Sequence, residues 1–115
     1  MTIRQPWASA ILDGRKTWET RTGRTTHRGA IAIHAGLGGP CDDARLPYGA
    51  IIGTATIVEC VRVETIRDAL STEERALGDY SDGRWAWRLS DVRPLSEALP
   101  ARGALGLWEW PAKPR

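Results

Sequence analysis

Gly14-Arg15-Lys16-Thr17-Trp18-Glu19-Thr20-Arg21 is where one periodicity stops and another starts. Before it, Trp7, Ala8, Ile11 and Leu12 fall at i, i+1, i+4 and i+5, the spacing of one apolar helical stripe. Pro6 suits the first turn of that helix, where a missing N–H costs nothing, and Gly14 is the stop expected just past its end. After Gly14 the pattern becomes β-prone. Two-residue alternation from Thr17 to Thr22 puts Glu19 and Arg21 on one strand face and Trp18 and Thr20 on the other. Lys16 lies in the turn before this strand, so alternation leaves its direction open.

Further strands follow. Gly29 to Gly36 reads as a buried strand with His34 just past its apolar centre. Leu37 to Tyr48 is rich in Gly and Pro and reads as a loop. Tyr48 to Val63 is the longest β-like run, with Gly53 marking a bend or bulge. Ser71-Thr72-Glu73-Glu74 opens a short helix that Gly78 closes, with acids in the first turn where the helix dipole favours them. Arg84 to Leu89 alternates strictly, with Trp85 and Trp87 on one face. A Pro-containing loop is expected next, and then a second W-x-W strand at Gly106 to Trp110. Strands outnumber helices and do not alternate with them regularly, which argues against a doubly wound parallel fold. The expectation is a mainly β (α+β) domain, a small closed or half-closed barrel of about five to six strands with two or three short helices.

At 115 residues the chain makes one domain, 1–115. Its composition, 42% hydrophobic and 26% charged, is that of a soluble globular protein, and no stretch approaches the length needed to span a bilayer. With no leader-like N-terminus, the expected location is cytoplasmic, away from membranes. Cys41 and Cys60 read as reduced thiols, and with His27 and His34 they form no zinc spacing, so neither metal nor cofactor is expected. A formal charge of +2 gives no broad argument for nucleic acid, so any such claim rests on local clustering.

Two clusters qualify. Fourteen of the sixteen basic residues are Arg, and Lys16 is the only Lys outside the C-terminal tail. Arg keeps its proton at ordinary pH, whereas a Lys can be desolvated and give its proton up. Lys16, Glu19 and Arg21 therefore read either as a site with a titratable amine or as a solvated strand face with an ordinary ion pair. Arg21, Arg24 and Arg28 fall within eight residues that carry no acid, a cluster able to grip phosphate. His34 reads as a satisfied structural histidine or as a residue entering a site from a strand end. The Trp pairs read first as sheet-packing walls and second as stacking platforms. No Walker loop, GxSxG elbow, HExxH or GxGxxG occurs.

Arg4-Gln5-Pro6-Trp7 followed by Gly14-x-Lys16-x-x-Glu19-x-Arg21 resembles the signature of the ASCH domain, a relative of the PUA RNA-binding domain. Arg28-Gly29, His34-Ala35, Gly49 to Gly53, Gly83 to Trp87 and Gly106 to Trp108 follow the order seen in small bacterial members, so the resemblance spans nearly the whole chain. It implies a PUA-like β-barrel with a cleft at the helix-to-strand turn, lined by Lys16, Glu19 and Arg21. It also implies RNA binding for most members, hydrolysis of N4-acetylcytidine for a smaller group, and a ribonuclease activity ascribed to one member. In the amidohydrolase group a Thr regarded as the nucleophile stands where this chain has Glu19, so that mechanism does not transfer unchanged.

Two functions follow as expectations. In the first, the cleft binds RNA, a nucleotide or a modified nucleoside, with DNA as a further candidate. Gln5, Trp7, Arg21, Arg24, Arg28, His34 and Arg84 would contact the ligand, and Glu19 would meet a base amino group. In the second, an acylated nucleoside is hydrolysed, with Lys16 and Glu19 as the catalytic pair. Either could be the base, and Lys16 could instead stabilise an oxyanion.

Overall fold

The structure is a computed structural model describing residues 1–103. Its elements are β1 (Thr2–Ile3), α1 (Trp7–Leu12), β2 (Trp18–Arg21), β3 (Gly29–Ala35), β4 (Ala50–Arg62), α2 (Thr72–Ala76) and β5 (Trp85–Pro100), with two 3-10 turns between β4 and α2. The strands form one mixed sheet in the order β1-β3-β4-β5-β2, with β1 parallel to β3 and the other pairs antiparallel. Among the described residues no ladder joins β1 to β2. Of the expected barrel, closed or half-closed, closure is not seen within them, and the sheet they form is open. Its two edges are bridged by a side chain, the Arg21 guanidinium donating to the Thr2 carbonyl at 2.8 Å.

Helix α1 forms where the apolar stripe predicts it. Ala8, Ala10 and Ile11 are buried, and Gly14 leaves the helix with φ of 88°. Gln5, rather than a capping hydroxyl, ties down the start: its Oε1 accepts from Ser9 N at 3.0 Å and its Nε2 donates to Pro47 O at 2.9 Å. The helix packs into the main core with Ile3, Ile33, Ala55, Ile57, Trp87 and Leu89. Full burial of each large aliphatic side chain here is worth about 1.5–3 kcal/mol. A second, smaller core lies on the opposite sheet face, where Trp18 and Ala86 meet Val63 and Tyr80. Alternation thus holds along β2: Trp18 serves the second core, and Glu19 turns to the other face.

The strand β5 runs further than expected. In place of a Pro-containing loop after Leu89, pairing with β4 continues to Pro100. Pro94 and Pro100 are tolerated because β2 pairs only with Trp85–Arg88, so beyond them a missing N–H breaks no ladder on β5's other side. Three register shifts bend this long pair, and Asp91 takes φ of 48° in one of them. The second W-x-W strand lies outside the described residues. At Gly53, inside another of these irregularities, a Cβ would lie 2.2 Å from Leu12 Cδ1 and 2.8 Å from the Arg93 carbonyl oxygen. That glycine lets α1 sit directly on the bend. Gly53→Val should lower the unfolding free energy by about 1–3 kcal/mol, the usual scale of overpacking, read from the urea midpoint.

Candidate functional site

Between the two sheet edges lies a cleft of about 1080 Å³. One wall is β1 with Arg4 and Trp7, a second is Lys16 and Glu19 to Thr22, a third is Ala76 to Asp79 after α2, and Arg84 and Leu37 complete it. The volume is at the upper end of what single small ligands occupy. The cleft lies in the gap that the described strands leave between β1 and β2.

Lys16 is buried to 2% exposure, an unusual place for an ammonium group. Its backbone N–H donates to Ala10 O at 3.1 Å, which fixes the turn after α1. Its Nζ donates to the Leu77 carbonyl at 2.8 Å and lies 3.7 Å from Glu19 Oε1. Arg21 Nη2 lies 3.4 Å from Glu19 Oε2. Both Glu19 contacts are ion pairs longer than hydrogen bonds. The carboxylate is thus held between two cations at long range. Arg21 Nε is buried without a hydrogen-bond partner, although the same guanidinium holds Thr2 O and lies 5.5 Å from the Trp87 ring centroid.

Burial is the largest influence on both members of the pair. It pushes the Lys16 ammonium below its ordinary 10.5, against the attraction of Glu19 and Glu74. It pushes Glu19 above its ordinary 4.5, against Lys16, Arg21 and Arg84. The protonated and deprotonated forms of the pair are thereby drawn closer in energy.

The supports of this pair are residues that sequence reading missed. Glu74 looks in sequence like the second half of an S-x-x-E capping box, and Ser71 Oγ does accept from Glu74 N at 3.1 Å. Its carboxylate, however, reaches away to β2, accepting from Thr17 N at 2.8 Å and from the Thr17 hydroxyl. The same hydroxyl accepts from Arg88 Nη1 at 3.1 Å. This network ties α2 to the Lys16 turn and holds the Leu77 carbonyl over the amine. Gly78 must then stay small, since a Cβ there would come within 2.8 Å of the Tyr80 ring and 3.3 Å of Lys16 Nζ.

Of the predicted site residues, the structure brings together Lys16, Glu19, Arg21, Trp7 and Arg84. Arg84 is committed to the scaffold, donating to Asp79 O at 3.0 Å and Thr20 O at 3.1 Å. Gln5 and His34 do not line the cleft. Gln5 is spent on α1, and His34 is buried with Nε2 2.6 Å from Ala101 O and Nδ1 3.2 Å from Thr2 Oγ1. Arg24 and Arg28 lie outside it too, exposed on the loop after β2.

A model of the ASCH domain family matches residues 1–98. Among solved structures, the chain is similar to three crystal structures of ASCH from Zymomonas mobilis. The unmutated protein gives a TM-score of 0.61 at 22% identity, covering 87% of this chain and 71% of that one. A tyrosine-to-phenylalanine mutant gives 0.62 at 23%, covering 87% and 73%, and a serine-to-alanine mutant gives 0.60 at 24%, covering 87% and 71%. At these identities the likeness shows the fold. No curated protein matches the chain.

The lowered Lys16 pKa has a definite sign for stability. Between the folded value and 10.5 the unfolded chain binds more protons than the folded one, so stability rises with pH across that window. Unfolding in urea from pH 8 to pH 9.5, below the range in which the tyrosines titrate, should show this rise in the unmutated protein and a smaller one in Lys16→Met.

Proposed function

The chain belongs to the ASCH domain family, and from that premise we propose that its cleft binds RNA by taking in the edge of one base or modified nucleoside. The observation that carries this reading is the state of Glu19 and Arg21. A carboxylate held by long ion pairs of 3.4 and 3.7 Å stands in the cleft beside a guanidinium whose Nε lacks an acceptor. Unmet buried polar groups cost about 1–3 kcal/mol each, which a ligand recovers by supplying the partner. What meets both is a planar group with a donor beside an acceptor, as on a base edge. A phosphate meets only Arg21 and would bring its charge against Glu19. Trp7, half-buried in the cleft wall, offers a face for the ring.

Hydrolysis of an acylated nucleoside is the second reading, favoured by the lowered pKa of buried Lys16. An amine so placed can take a proton from water at the amide carbon while Glu19 or Arg21 orients the substrate. Glu19 stands where the amidohydrolase group has a Thr, so here water, rather than a side-chain hydroxyl, is the nucleophile. Localisation in the cytoplasm suits either reading.

Calorimetric titration with ribonucleosides and short RNAs separates the two. Glu19→Gln should weaken nucleoside binding about tenfold or more, as expected when a charged hydrogen-bond acceptor is lost. Unchanged affinity would remove the base-edge reading. Release of cytidine from N4-acetylcytidine, abolished in Lys16→Ala, would establish the hydrolase; no release at high protein concentration would dismiss that substrate.

A further inference from the structure

Beyond the cleft, the register of three strands builds a second surface. Arg21 on β2, Trp85 on β5 and Arg62 on β4 are direct cross-strand partners, so their side chains leave the same sheet face in a row. Two strand spacings put the row's ends about 10 Å apart. Arg21 is at once the first member of this row and part of the cleft wall. At the other end, Arg62 is exposed and its guanidinium lies 4.6 Å from the centroid of the half-buried Trp85 ring. A guanidinium stacked on indole covers one of its own faces and presents the other.

The basic loop after β2 lies alongside this row. Trp87 Nε1 donates to Gly23 O at 3.0 Å, and Thr25 N donates to Cys60 Sγ at 3.4 Å, which seats the loop over β4 and β5. Arg24, His27 and Arg28 of that loop are exposed. Nearby acids are turned elsewhere: alternation sends Glu59 to the opposite face from Arg62, and Glu64 accepts from Gly83 N at 3.1 Å.

We propose that a single-stranded RNA with one base in the cleft continues across the Arg21–Trp85–Arg62 row, stacking its next base on the Arg62 guanidinium and laying its phosphates against Arg24 and Arg28. The proposal rests on the RNA reading of the cleft and extends it from one nucleoside to a strand. Nucleic acid fits better than an acidic peptide because the row offers a planar stacked face as well as charge.

The test is to titrate an eight-nucleotide RNA, the matching DNA and a mononucleoside into the unmutated protein, Arg62→Gln, Trp85→Phe and Glu19→Gln, at two salt concentrations. Arg62 is exposed, so its replacement should leave the thermal unfolding curve in place. The RNA should bind more tightly than the mononucleoside. Arg62→Gln should weaken RNA about fivefold or more by removing the stacking face, while the loss of affinity with salt, carried by phosphates at Arg24 and Arg28, is kept. Trp85→Phe, which keeps a ring, should lose less than Arg62→Gln. An Arg62→Gln protein with unchanged RNA affinity overturns the proposal, as does RNA binding that does not weaken with salt. So does polyglutamate competing as well as RNA, or RNA that binds no better than the mononucleoside. Loss in Arg62→Gln with none in Glu19→Gln would keep this track and sink the base-edge cleft. DNA binding equal to RNA would keep the track and broaden its strand to either sugar.

Discussion

The Arg21 guanidinium joins the two edges of the sheet that the described residues form. It leaves one edge strand, reaches the carbonyl of Thr2 on the other at 2.8 Å, and on the way lies beside Glu19 and Trp87. A ladder would have filled this space with backbone hydrogen bonds. A single long side chain bridges the edges and leaves a cleft beside itself. Arg suits the position because its charge is permanent and its planar fork can serve several partners. The open sheet and the candidate site are therefore one feature.

Burial then determines the chemistry of the cleft. Lys16 and Glu19 are held out of water by α2 and the segment after it, and each is pushed towards its neutral form. Charge attraction opposes that push without restoring short hydrogen bonds. The arrangement persists because other elements hold it in place: Glu74 fastens α2 to the turn, Leu77 O occupies the amine, and Asp79 and Thr20 absorb Arg84. What remains in the cleft is a carboxylate held by long ion pairs and an Arg21 Nε without an acceptor. This differs from a generic basic groove, in which charge is exposed and interchangeable.

Much of this was legible in the sequence, for identifiable reasons. The 3.6-residue stripe at Trp7 to Leu12, the alternation through Glu19 and Arg21, and the scarcity of Lys around position 16 pointed to the elements observed and to three residues that the structure brings together. The open edge was not legible, since a short β1 pairing in parallel with β3 leaves no pattern in two residues. The length of β5 was hidden by Pro94 and Pro100, which are breakers only where both sides of a strand are paired. Glu74 was hidden because its local reading, an acid in the first turn of a short helix, already accounts for it. Gln5 belongs to the same motif as the site residues yet works on the scaffold, because a motif records position along the chain without saying which way a side chain turns.

The most direct test of the account is the NMR resonance of the Arg21 Nε–H during titration with ribonucleosides. An amide-like donor that gains an acceptor moves downfield and exchanges more slowly with water. The account predicts a saturable shift at this one N–H, lost when Glu19 is replaced by Gln. A ligand that binds while this resonance stays still, with perturbations confined to the loop after β2, would contradict it.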